Sequence, residues 1–117
     1  MFNTRLDKEK NRIYVTLGTI ETDEGEQLFN QVKSQLKLLK PGFTGVSDIR
    51  SFIIKDLNEG VWADKIFRLM MEEGINKAAR ITGEDEKIKK IVNDHGCTVM
   101  LVKTMEEADQ VLDGEQV

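Results

Sequence analysis

The feature that most constrains this chain is a change of apolar period between Arg12 and Pro41. From Arg12 to Ile20, Ile13, Val15 and Leu17 alternate with Tyr14 and Thr16, which is the period of a strand. Leu28, Val32, Leu36 and Leu39 then recur at helical spacing, with Phe29 beside them. Thr22 or Asp23 can cap that helix. Asp23, Glu24 and Glu26 lie where its dipole favours negative charge, and Lys33, Lys37 and Lys40 lie in its second half. Pro41-Gly42 stops it. A strand followed by a long amphipathic helix and another strand implies a crossover, and hence a mainly parallel sheet.

The same alternation continues along the chain. Thr4–Leu6 is a brief strand signal, joined to the next by the polar Lys8-Glu9-Lys10-Asn11, so an antiparallel hairpin opens the fold. Phe43–Phe52 reads as a strand carrying Val46, Ile49 and Phe52. Asn58–Glu73 reads as a helix with Trp62, Ile66, Leu69 and Met70 on one face and Gly74 as its stop. Ile75–Thr82 is a strand from context, its own β propensity being weak. Gly83-Glu84-Asp85-Glu86 opens a third helix with Ile88, Ile91 and Val92 on its face and Gly96 at its end. Cys97–Val102 is a continuous apolar run suited to a strand covered on both faces. Thr104-Met105-Glu106-Glu107 matches a capping box before a last helix carrying Ala108, Val111 and Leu112. The expectation is therefore an α/β fold of order β-β-α-β-α-β-α-β-α. It has a mixed, mainly parallel five-stranded sheet, about four helices, and one domain over residues 1–117.

Composition narrows the function classes. With 39% hydrophobic and 32% charged residues, a chain of 117 can bury a core without staples. Net charge is −4, with both signs interspersed, which argues against a nucleic-acid footprint. No run reaches the roughly 18 apolar residues of a membrane span, and the first residues lack a secretory pattern, so a cytoplasmic address is the expectation. Cys97 is the single cysteine and reads as a small buried side chain; His95 reads as an aid to a helix end. No spaced ligand set, nucleophile arrangement or phosphate loop is visible, so no catalytic residue, metal or cofactor is expected.

Arg12-Ile13-Tyr14-Val15-Thr16-Leu17-Gly18-Thr19-Ile20, Gly45-Val46-Ser47-Asp48-Ile49-Arg50-Ser51-Phe52, Lys77-Ala78-Ala79-Arg80-Ile81-Thr82 and Val99-Met100-Leu101-Val102, in that element order, resemble the STAS family. That family comprises sulfate transporters and anti-sigma factor antagonists, and the nearer likeness is to its SpoIIAA-like stand-alone branch. The resemblance implies a non-catalytic module that binds a protein partner in signalling or transcription control. It also implies that the first two long helices lie on one side of the sheet. In the antagonists, a serine at the start of the following helix accepts phosphate. Here Lys55-Asp56-Leu57-Asn58-Glu59-Gly60 holds no hydroxyl, which leaves Ser51 as the nearest one and speaks against a serine phosphoswitch.

The expected partner surface is the start of the second helix, with Asp56, Asn58 and Glu59 as polar contacts and Val61 and Trp62 as apolar anchors. By itself Trp62 reads first as a core residue, with a partly exposed anchor as the alternative, and Met70, Met71 and Met105 read first as core filler, with contact surface as the alternative. A second function class stays open: a small-molecule or lipid carrier or sensor, with an apolar pocket between helices and sheet.

Overall fold

The computed structural model describes residues 2–18, 24–51, 57–82, 89–92 and 98–114, with the backbone alone for 57–61, 63 and 89–92. Its elements are β1 (Phe2–Asp7), β2 (Arg12–Leu17), α1 (Glu24–Leu36), β3 (Thr44–Asp48), α2 (Leu57–Glu72), β4 (Lys77–Ile81), β5 (Lys89–Val92), β6 (Thr98–Val102) and α3 (Met105–Leu112). The five expected strands all form in one mixed sheet. A sixth short strand, β5, extends it to the order β1-β2-β3-β4-β6-β5. β2, β3, β4 and β6 are parallel neighbours, while β1 and β5 close the two edges antiparallel.

Strand parity divides the core into two layers. Ile13, Val15 and Leu17 of β2 meet Leu28, Val32 and Leu36 of α1 and Ile66, Leu69 and Met70 of α2. On the opposite face, Tyr14, Val46, Ala79, Ile81 and Val102 meet Ala108 and Leu112 of α3. The two long helices thus share one face, and α3 covers the other. Thr104 caps α3 by accepting from the Glu107 amide at 3.1 Å, as the capping-box pattern predicts.

Three expectations need correction. Residues 89–92 are strand, not the face of a third helix, and the described residues hold three helices where the pattern predicts four. Ile88, Ile91 and Val92 fit a helical spacing, but a short apolar run does not fix its own period. Here Lys89–Val92 pairs with the free edge of β6, and a short lysine-bearing strand suits an exposed edge. The rest of that expected helix lies outside the described residues. Second, α1 ends at Leu36, ahead of Pro41, because the next residues close a tighter turn: the Leu38 amide donates to the Gln35 carbonyl and the Leu39 amide to that of Leu36. Third, β3 stops at Asp48, whose carboxylate accepts from the Arg50 amide at 3.2 Å and turns the chain out of the ladder.

The amino-terminal edge of the sheet is closely tied. Asn11 adopts φ 54°, a left-handed conformation that asparagine tolerates. Its side chain donates to the Lys40 carbonyl at 3.0 Å and accepts from the Lys40 amide at 2.9 Å, stapling the α1–β3 connection onto the hairpin turn.

α1 and α2 touch closely where Trp62 lies on Gly25; a Cβ at Gly25 would overlap the Cδ1 and Cγ atoms of the indole. Helix propensity alone makes Gly25→Ala favourable by ~0.5–1 kcal/mol. Overlap with the indole should reverse this to a loss of about 1–3 kcal/mol. In a Trp62→Ala background the same change should become stabilising. Urea midpoints of the four proteins test the pairing, and equal effects of Gly25→Ala in both backgrounds would refute it.

Candidate functional site

Two polar constellations stand at opposite ends of the parallel strands. At the amino-terminal end, Arg12 is 2% exposed. Its Nε donates to Thr44 Oγ1 at 2.8 Å, and its two terminal nitrogens donate to Asp109 Oδ1 at 2.8 Å and Asp113 Oδ1 at 2.7 Å. Tyr14 donates to the same Asp109 oxygen at 2.5 Å, and Lys10 Nζ pairs with Asp113 at 3.2 Å. Burial, and then the bond to Asp109, pushes the Tyr14 phenol up from its ordinary range. The hydrogen bond from Arg12 holds the Asp113 carboxyl below the usual carboxylate range. The guanidinium is engaged on every nitrogen, so this cluster acts as a clamp.

The other constellation lies towards the carboxyl ends of β2, β3 and β4, beneath α2. A cavity of about 270 Å³ is lined there by Val15, Leu17, Leu28, Ile49, Ile66, Phe67 and Met70, with Ser47, Arg80 and Asp64 as the polar members. Ser47 and Arg80 are register partners on adjacent strands, and Val15 is the partner of Ser47 on the other side. All three therefore occupy one face, the one that α1 and α2 cover. Both polar side chains are half-buried. Among the described residues neither makes a hydrogen bond or ion pair. Asp64 is exposed and paired with Arg68 at 3.0 Å. Beside the cavity, on the α3 face, Asp48 accepts from Arg50 Nε at 2.9 Å and Nη2 at 2.7 Å, which holds its carboxyl below the usual range.

The residues singled out from the sequence fall elsewhere. Asp56, His95 and Cys97 lie outside the described residues. Asn58, Glu59 and Val61 belong to the first turns of α2, whose side chains there are also outside them. Trp62 is half-buried between α1 and α2. Its ring is tilted 55° to that of Phe29 at 5.9 Å, and Lys65 Nζ stands 4.6 Å from its centroid. Ser51 is exposed in the turn after Asp48. Met70 is core, Met105 packs beside the α3 layer, and Met71 is half-buried.

Ser47 and Arg80 were missed by sequence reasoning, though a signal existed. A strand covered on both faces has few reasons to carry a polar side chain within it. Val46-Ser47-Asp48 and Ala79-Arg80-Ile81 both do so. The chain matches no protein-family model and no curated protein.

The Arg12 cluster makes a pH prediction. An unfolded aspartate titrates near ~3.9, and the folded Asp113 value is lower. Its stabilisation is therefore whole above the unfolded value and is lost as pH falls towards the folded one. Asp113→Asn should lower the denaturation midpoint at neutral pH, and the gap from the natural protein should shrink below about pH 4. A gap that stays constant through the acid range would remove Asp113 from this role.

Proposed function

We propose that this chain is a non-catalytic regulatory module that binds a small, mainly apolar molecule in the cavity between the sheet and α2. The observation that carries the reading is the cavity itself, with a half-buried arginine and serine on its floor and neither partnered among the described residues. About 270 Å³ falls just below the usual range of ligand pockets, ~300–1,000 Å³, and so admits only a small ligand. Its position at the carboxyl ends of parallel strands is where open α/β sheets usually take ligands. Binding is favoured over catalysis by the lining. Among the described residues it offers Ser47 no histidine, and its one carboxylate is engaged by Arg68. The element order and the antiparallel edge hairpin support a STAS-like regulatory role; the extra edge strand departs from that pattern.

Trp62 favours a second reading, in which the chain engages a protein partner. Trp62, Phe29 and Leu69 line an open groove of about 450 Å³ on the outer side of α1 and α2, with Lys65 and Arg68 along it. In that reading the surface includes Asp56, Asn58, Glu59 and Val61, and Trp62→Ala should weaken the complex by at least ~2 kcal/mol.

Val15→Phe tests the ligand reading, because Val15 lines the cavity and a larger side chain there should reduce its volume. Native mass spectrometry of the purified natural protein should show a retained small molecule, or thermal denaturation a stabilisation by apolar ligands. Saturation at a hundred times Kd gives ~2.7 kcal/mol. Val15→Phe should stay folded and lose both signals. Ligand stabilisation that survives in Val15→Phe would place binding elsewhere.

A further inference from the structure

Resting on the ligand reading, the geometry points to a specific ligand class: a monocarboxylic acid with a compact apolar body, its carboxylate held by Arg80 and Ser47. The polar groups determine the class. Among the described residues Arg80 carries the one charge on the cavity floor, and no described carboxylate neutralises it. Ser47 is its register partner on the next strand, so the two side chains rise from neighbouring positions on one face and both line the cavity. A guanidinium donates two parallel hydrogen bonds to a carboxylate, and a hydroxyl beside it supplies another donor. The remaining walls are Val15, Leu17, Leu28, Ile49, Ile66, Phe67 and Met70, which suit hydrocarbon.

Charge and size restrict the class further. Among the described residues Asp64 is the lining's other ionisable group; it is exposed and already paired with Arg68, so the described floor offers one net positive charge. A carboxylate balances that charge, whereas a phosphomonoester carries about −1.5 to −2 at neutral pH and leaves an excess. At the ~30 Å³ that a liquid water occupies, 270 Å³ holds about nine non-hydrogen atoms. Octanoate is a probe close to that size. Arg12 makes the contrast: an arginine of the same fold that is fully partnered and stays within the clamp.

Isothermal titration of the full chain with octanoate, octanol, octylamine and octyl phosphate tests the assignment. Octanoate should bind at least about tenfold more tightly than octanol, the scale of one hydrogen bond to a charged group. Arg80→Gln should abolish that preference while octanol binding persists, Arg80→Lys should restore part of it, and Ser47→Ala should weaken octanoate alone. If Arg80→Gln fails to fold, the Arg80 Nε–H resonance of the natural protein should shift with octanoate and not with octanol. Equal binding of octanoate and octanol, tighter binding of octyl phosphate or octylamine, or a preference retained in Arg80→Gln would overturn the carboxylate assignment. In each of these cases, binding that Val15→Phe abolishes leaves the ligand pocket standing. Absence of binding by all four probes would overturn both.

Discussion

The buried guanidinium of Arg12 is the interaction on which the arrangement of this fold depends. A charge at 2% exposure is tolerated only with its donors satisfied, and the acceptors come from Thr44 on β3 and from Asp109 and Asp113 on α3. Burying the cation therefore requires three elements, distant in sequence, to close together. α3 gains most from this. Eight residues are too few for a helix to persist by itself, and acids near its carboxyl end oppose its dipole. The last turn of α3 has no basic residue of its own, and Arg12, with Lys10, supplies the positive charge there. The Asn11 staple on Lys40 secures the same edge.

With one edge clamped, the other is free to carry a cavity, and strand parity explains where it forms. Val46, Ala79, Ile81 and Val102 give α3 a continuous apolar floor. On the opposite face, the register places Gly45 and Ser47 on β3 and Ala78 and Arg80 on β4. Large aliphatics reach that face from β2, as Ile13, Val15 and Leu17, and from β6, as Val99 and Leu101, on either side of β3 and β4. Helices α1 and α2 pack on the β2 row and on each other, and the small and polar residues of β3 and β4 leave the space beneath α2 open. The cavity thus follows from side-chain choice on two strands.

The sequence made the main ladder legible because apolar period and turn chemistry agreed there. Ile13, Val15 and Leu17, the stripe from Leu28 to Leu36, and the capping box at Thr104 each specify one local structure without help from the rest of the fold. β5 was not legible. Its four residues gain their structure from the free edge of β6, a tertiary circumstance that no local pattern encodes. The site was obscured for a related reason. Ser47 and Arg80 are 33 residues apart in the chain and become neighbours only through register. Attention to exposed loops and aromatic anchors directs the eye to α2's first turns, whereas the unpartnered polar groups lie within strands, near their carboxyl ends.

In the proposed ligand reading the two arginines serve different ends, Arg12 stability and Arg80 recognition. Arg12 is nearly inaccessible, so its desolvation cost is already met by fixed acceptors, and little affinity for a further anion is left. Arg80 is half-buried and retains part of its hydration, so an arriving carboxylate exchanges water for charge-assisted bonds in a partly apolar site. The gain is the difference between those states, not the full Coulomb attraction. Affinity for a small acid must therefore come largely from its apolar body, at ~25 cal/mol per Å² removed from water. The charge then selects among molecules that the walls of the cavity already accept. Floor and walls divide the work, and because α2 forms the roof while its outer side faces the Trp62 groove, whatever fills the cavity bears directly on the helix that a partner would meet.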